Sequence, residues 1–232
     1  MTDTDLVVEL DHVTKTYRQG KITVDALRGL DLQVRRGEFL ALTGPSGSGK
    51  TTVLNLIGAL DVPTSGRVLL EHQDLAALSR AQQSRLRRDR IGFVFQSYNL
   101  IPVLTAFENA ELVLRLQGVA EDERTRRVRQ LLVDVGLGGM EDRRPNEMSG
   151  GQQQRVAIAR AIASAPAVIL ADEPTANVDS ATADMLLALM ERLNRERGAT
   201  FIFSTHDPRV MARARRIVRM SDGAIEGEET RS

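Results

Sequence analysis

The chain has 232 residues, 42% of them hydrophobic, with 31 Lys+Arg balanced by 31 Asp+Glu. That length and apolar content supply the core of one large α/β domain or two small ones, and the even charge argues against bulk attraction to nucleic acid. Cysteine is absent, which excludes disulfides and thiolate-held metals and fits a reducing compartment.

No apolar run approaches the ~18 to 20 residues that cross a bilayer. The start, Met1-Thr2-Asp3-Thr4-Asp5, is acidic and polar, unlike a signal peptide. These features predict a cytoplasmic chain whose role at a membrane, if it has one, needs a partner.

Residues 6–10, 30–34 and 67–70 read as short strands, with turns at 35–38 and 63–66. The run Phe39-Leu40-Ala41-Leu42 reads as a strand that opens into a glycine-rich loop, followed by an apolar helix containing Val53, Leu54, Leu56 and Ile57. A polar, arginine-rich helix is expected at 79–90 and a strand at 91–95. Residues from about 105 to 137 carry Leu112, Val113, Leu116, Val128, Leu131, Leu132 and Val135 at helical spacing. Strand composition returns at 167–171 and 200–204. Between them, 181–197 is a periodic helix ending before Gly198. Residues 223–232 read as a turn and a polar tail. The arginines at 85–90, 124–129 and 213–219 read as solvated helix faces, since aromatics for base stacking are scarce at 3%.

The loop after the first of these apolar strands is Gly44-Pro45-Ser46-Gly47-Ser48-Gly49-Lys50-Thr51-Thr52. It matches the phosphate-cradling pattern G-x-x-x-x-G-K-[ST] at Gly44, Gly49, Lys50 and Thr51. Glycines let backbone N–H groups turn inward onto phosphate oxygens. The helix starting near Lys50 aims unsatisfied N–H groups and its positive dipole end at the same anion. Lys50 would reach the β- and γ-phosphates, and the Thr51 hydroxyl would ligate Mg²⁺. The competing reading, a glycine-rich turn with a chance lysine, is weakened by the strand before and the apolar helix after.

Four apolar strands end at a polar or glycine-rich group: the phosphate loop, Gln96, Asp172-Glu173 and Ser204-Thr205-His206. In an open parallel sheet, ligands bind at the carboxyl ends of the strands. Each group alone could be the ordinary start of a loop, but side by side they would surround one phosphate. Asp172 would hold Mg²⁺, directly or through water. Glu173 is placed to orient and deprotonate an attacking water. Gln96 could touch the metal or the water and sense the γ-phosphate, and His206 could bind the γ-phosphate and position the water.

A second anion-binding helix start lies about a hundred residues further on. In Met148-Ser149-Gly150-Gly151-Gln152, Ser149 is a good N-cap and the glycines expose backbone N–H groups. An ordinary capped helix explains this element alone equally well.

Together, Ser149-Gly150-Gly151-Gln152, the loop at 44–52, Gln96, Asp172-Glu173 and His206 resemble the ABC ATPases in order and spacing over essentially the whole chain. The resemblance implies an α/β fold: a RecA-like P-loop NTPase core with an antiparallel β subdomain and an inserted α-helical subdomain. The single domain would span 1–232, with 1–96 and 151–232 forming the core plus β subdomain and 97–150 the helical part. It also implies a head-to-tail homodimer in which two ATP molecules, with Mg²⁺, are sandwiched between one subunit's phosphate loop and the other's signature at Ser149–Gln152. Tyr17 resembles the family's adenine-stacking aromatic, although it could equally be a strand core residue. Asp179, in Ala176-Asn177-Val178-Asp179, falls where the family's D-loop would bridge the two sites. Met148 replaces the usual leucine, a near volume-conserving change.

Residues 92–102, Leu104-Thr105-Ala106, Glu108-Asn109 and Pro145-Asn146-Glu147 are similar to the lipoprotein-releasing and macrolide-export branch. That similarity implies a permease on a separate chain, with the ATPase peripheral on the inner face of the cell membrane. Leu100, Ile101, Val103 and Leu104 are candidates to touch that permease, although core packing explains them too. An alternative is a regulatory ATPase that moves no cargo and controls an envelope or division process through a similar permease. A soluble ABC ATPase acting on DNA or ribosomes would need a coiled-coil insertion, a second ATPase domain or a basic surface, and the sequence has none of these; nucleic acid is not an expected partner.

Overall fold

The structure, a computed structural model, describes residues 5–20 and 22–231. The amino-terminal residues 1–4, read above as acidic and polar, lie outside the described residues.

Two long strands open the chain, β1 (Leu6–Gln19) and β2 (Ile22–Arg35). They pair antiparallel with breaks in register at several points, and such irregularities let a long strand bend and twist. With β4 (Ser65–Leu70) and β5 (Gln73–Asp74) they form a sheet in the order β2-β1-β4-β5. The sequence reading found only the apolar inner ends of the hairpin. Its outer half is mostly exposed: in β2 the burial pattern begins with four exposed residues and alternates only from Leu30, so no apolar run marks it.

Six strands form the second sheet among the described residues: β3 (Phe39–Thr43), β6 (Ile91–Phe95), β7 (Val168–Asp172), β8 (Phe201–Ser204), β9 (Arg216–Ser221) and β10 (Ala224–Thr230). Their order is β10-β9-β3-β8-β7-β6. The pairs β9–β3, β3–β8, β8–β7 and β7–β6 are parallel, and β10 adds antiparallel at the edge. Of the stretch 223–232, residues 224–230 are therefore a strand and not a tail, and residue 232 lies outside the described residues. Glu226, Glu228 and Glu229 made β10 look like a tail, yet its ladder with β9 is reinforced by Arg216–Glu228 and Arg219–Glu229 ion pairs.

The central strands read as continuous apolar runs because both of their faces are covered. In β3, Phe39 and Ala41 join one core with Phe201, Phe203, Val156 and Leu186, whereas Leu40 and Leu42 join another with Val53, Ile57, Leu10 and Leu32. The second core fills the space between the two sheets and holds helix α1 (Lys50–Ile57). Each fully buried apolar side chain of this size contributes roughly 1.5–3 kcal/mol.

On the other face lie α3 (Ala106–Leu116), α4 (Glu121–Asp134), α5 (Gly150–Ala163) and α6 (Ser180–Arg197). Two further α-helices are α2 (Arg80–Arg90) and the short α7 (Pro208–Arg213). The helical stretch expected from about 105 to 137 is two helices. Gly118 takes the left-handed conformation at φ 75° and closes α3, and Glu121, Asp122 and Glu123 favour a new N-terminus. The break brings Arg124 Nε within 2.5 Å of the largely buried Glu111 carboxylate.

The arginines therefore need a corrected reading. Arg124 pairs inside the α3–α4 junction. Arg216 and Arg219 lie on a strand rather than a helix face, and Arg216 is bound to Glu38 as well as Glu228.

Candidate functional site

Because β3, β8, β7 and β6 are adjacent and parallel, their carboxyl ends meet along one sheet edge. A cavity of ≈ 790 Å³ lies there, lined by Gly44, Pro45, Ser46, Gly47, Gly49, Lys50, Thr51, Thr52, Gln96, Asp172, Glu173, Ser204 and His206. Val24, Asp25 and Ala26 close it from the hairpin; the first two are exposed and the third half-buried, they carry no motif, and the sequence reading missed them. Ser48 turns inward instead, 2% exposed, with its carbonyl accepting from the Gly223 N–H.

The loop holds its shape through short local contacts. Lys50 Nζ donates to the carbonyls of Gly44 and Pro45 at 2.8 and 2.9 Å, which sets the ammonium in the centre of the loop. Gly49 caps α1 at φ 102°, and a Cβ there would lie 2.7 Å from the Ala26 carbonyl. A larger residue would therefore force the hairpin away from the loop. Thr51 Oγ1 stands 3.4 Å from Asp172 Oδ1, so a hydroxyl and a carboxylate, both hard oxygen donors suited to Mg²⁺, share one corner of the cavity.

Glu173 follows β7 with a left-handed φ of 45°, an uncommon conformation for a residue with a side chain. Its N–H donates to the Ser204 carbonyl at 2.9 Å. Its carboxylate receives Thr205 Oγ1 at 3.3 Å and contacts His206 Nδ1 at 2.7 Å. Asp207 then caps α7 and accepts from Thr175 Oγ1 at 2.9 Å, and the Arg209 guanidinium beside it holds its carboxyl below the usual range. Thr175 and Thr205, which sequence reasoning gave no role, tie the loop after β7 to the loop after β8.

Below these loops, Gln154 of α5 is fully buried, and its Nε2 donates to the Pro174 carbonyl at 2.7 Å and the Phe95 carbonyl at 3.4 Å. The α5 helix thus braces the backbone beside both Gln96 and Glu173. A buried glutamine inside a helix reads in sequence as one more polar position, so this role was not legible.

The α5 start, expected from sequence as a second anion-binding element, lies outside the cavity. Ser149 Oγ accepts from the Gln152 N–H at 3.3 Å, and Gln152 Oε1 accepts from the Ser149 N–H at 2.9 Å, a reciprocal cap. Ser149 itself is exposed at the start of α5. Gly151 packs so closely on α6 that a Cβ would lie 2.3 Å from Thr182 Cγ2. Asp179 caps α6, accepting from Thr182 N at 3.0 Å and Thr182 Oγ1 at 2.6 Å. These contacts hold its carboxyl below the usual range.

Tyr17 is 39% exposed and does not belong to a core cluster. It does not line the cavity but pairs with Val24, which does. Its hydroxyl donates to Asp61 at 2.9 Å, and Lys15 Nζ sits 4.9 Å from the ring centroid while donating to the same carboxylate. Burial, followed by the Asp61 contact, raises the phenol pKa.

A family profile described as ABC transporter matches residues 27–176. The chain is 50% identical over 224 residues to the macrolide export ATP-binding/permease protein MacB of Syntrophobacter fumaroxidans; the match covers 96% of this chain but 31% of that protein. It is also 50% identical over 219 residues to the lipoprotein-releasing system ATP-binding protein LolD of Anaeromyxobacter dehalogenans, covering 94% of this chain and 92% of that one. Among solved structures, the dimeric post-hydrolysis state of the ATP-binding cassette MJ0796 bound to ADP and Pi superposes with a TM-score of 0.88 at 45% identity, over 96% of this chain and 98% of that chain.

Proposed function

As the chain belongs to the ABC transporter ATP-binding family, whose cassettes hydrolyse ATP to ADP and phosphate, we propose that it works as a homodimer energising a permease carried on a separate chain. One observation carries this reading. Within a single copy, the phosphate loop, Gln96, Asp172, Glu173 and His206 surround one cavity, while the capped glycine start of α5 faces elsewhere. A helix start exposing N–H groups is an anion site. It has a use if a second copy brings its own nucleotide to it, and the dimeric assembly of the similar cassette supports that arrangement.

Each residue then has a role in hydrolysis. The N–H groups of residues 44–52 and the Lys50 ammonium hold the phosphates. Glu173 accepts a proton from the attacking water, and His206 and Gln96 orient that water and the γ-phosphate. Ser149, Gly150, Gly151 and Gln152 close over the nucleotide of the partner copy, and Asp179 lies at the junction between the sites. Tyr17 offers an exposed ring face to the base, its other contacts being held by Lys15 and Asp61. The oxygen donors of Thr51, Asp172 and Gln96 suit Mg²⁺, which when bound would neutralise charge developing on the phosphates.

Similarity to both MacB and LolD, the first spanning about three times this chain's length, supports export or release of a lipid, lipoprotein or drug from the cytoplasmic membrane. No helix among the described residues is long and apolar enough to cross a membrane. Attachment through a permease, peripheral on the inner face, accounts for membrane work by such a chain. The test is to purify the chain from native cells with its membrane partner and delete it. Accumulated cargo at the inner membrane supports transport. A division or lysis defect with no change in cargo replaces it with the regulatory role.

A further inference from the structure

The segment after β6 joins three functional parts of the chain through one residue pair. Gln96 Nε2 donates to Asn177 Oδ1 at 3.4 Å, and Asn177 Nδ2 donates back to the Gln96 carbonyl at 3.0 Å. Two residues on, the Tyr98 hydroxyl donates to the Asn177 carbonyl at 3.0 Å. That hydroxyl also stands against the start of α5, where a Cβ on Gly150 would lie 2.6 Å from it.

The segment is held in an unusual shape to make these contacts. Tyr98 and Asn99 both have left-handed backbones, at φ 59° and 49°; asparagine tolerates this region, but a tyrosine adopts it only when its surroundings impose it. Arg160 of α5 imposes it here, donating to the Asn99 carbonyl at 2.6 Å and the Tyr98 carbonyl at 3.0 Å. The Arg160 side chain is half-buried, and that burial lowers its guanidinium pKa; two of its N–H groups are spent on these carbonyls.

We infer that Tyr98 and Asn177 are positioning residues that couple the two nucleotide sites of the dimer. In each copy they make the placement of Gln96, at that copy's own nucleotide, depend on whether its Gly150 is seated on the nucleotide of the other copy. The inference rests on the paired-subunit reading above. The coupling is physical because the three contacts share Asn177. Hydrogen bonds weaken steeply as they lengthen and bend, so a small shift of Gly150 against the Tyr98 hydroxyl is felt at the Asn177 carbonyl and, through its amide, at Gln96.

The test is the rate of ATP hydrolysis against ATP concentration for the full chain. Tyr98→Phe removes one oxygen and keeps the ring. It should lower kcat about three- to thirty-fold, flatten the dependence on ATP and leave ATP binding to the single chain unchanged. Asn177→Ala should do the same, and the double variant should be no worse than Asn177→Ala alone, because both changes cut one link. Additive losses with a lowered melting temperature and unaltered steepness would overturn the coupling and leave a packing role. So would wild-type rate and steepness in Tyr98→Phe while Ser149→Arg is inactive, which would leave the paired site standing. A fully active Ser149→Arg would overturn the paired site, and the coupling with it.

Discussion

Glu173 and His206 form one unit: Oε1 of the carboxylate and Nδ1 of the imidazole are 2.7 Å apart. A carboxylate that acts as proton acceptor can only accept in this contact, so the arrangement requires the imidazole form with a proton on Nδ1. The pairing fixes the orientation of both side chains above the phosphate loop, and the left-handed backbone of Glu173 is retained by the hydrogen bonds from Thr205 and to Ser204.

Glu173→Gln keeps the size and the contact with His206 but removes the proton acceptor. It should bind ATP normally, lower turnover by about 10²-fold or more and accumulate as a dimer in ATP. Steady-state hydrolysis and size-exclusion chromatography check this. Normal hydrolysis would move the base elsewhere. Because the pair acts together, His206→Ala added to Glu173→Gln should cost little further.

Ser149→Arg removes a helix cap, a loss of about 1 kcal/mol in stability, and puts a bulky cation on the proposed partner-facing surface. Hydrolysis should fall by at least about tenfold while nucleotide binding to the single chain, read by titration, stays nearly intact. Loss of ATP binding in the isolated chain would show that the α5 start serves its own site.

Much of this site was legible because phosphate chemistry constrains sequence locally. The run from Gly44 to Thr52 and the polar groups closing β6, β7 and β8 each announce themselves by following an apolar strand. What ties them together was less visible. Gln154, Thr175 and Thr205 act through backbone carbonyls or single hydroxyls, which leave no spacing rule. The outer hairpin and β10 were hidden because exposed strands lack an apolar run, and the α3–α4 break was masked because helical spacing recurs on both sides of Gly118.

The α3–α4 junction gives a stability prediction. Glu111 is 8% exposed and its partner Arg124 also donates to the Val119 carbonyl at 2.7 Å. Glu111→Ala leaves a largely covered guanidinium, its side chain 16% exposed, short of its counter-charge and should cost about 3 kcal/mol in urea unfolding. An effect below about 1 kcal/mol would mean the pair is screened as surface pairs are.

Glu71 supplies a pH dependence. Arg90 grips its carboxylate at 2.5 and 2.7 Å and Arg36 adds a third contact, which together hold its pKa below the ordinary 4.5 despite partial burial. A folded pKa below the unfolded one stabilises the protein above the unfolded value, and the gain is lost as pH falls through the folded value. Glu71→Gln should therefore be less stable than wild type by about 1 kcal/mol at neutral pH, with the two curves converging as the pH drops below that of an ordinary glutamate. A difference that grows in acid would contradict this.

The central claim is that each active site is built from two copies, and mixing two inactive variants tests it most directly. Lys50→Ala spoils the phosphate loop and leaves the α5 start intact; Ser149→Arg does the reverse. Each alone should be inactive, and a mixture should recover hydrolysis, because a mixed dimer contains one site with both halves sound. A mixture as inactive as its components would contradict the account.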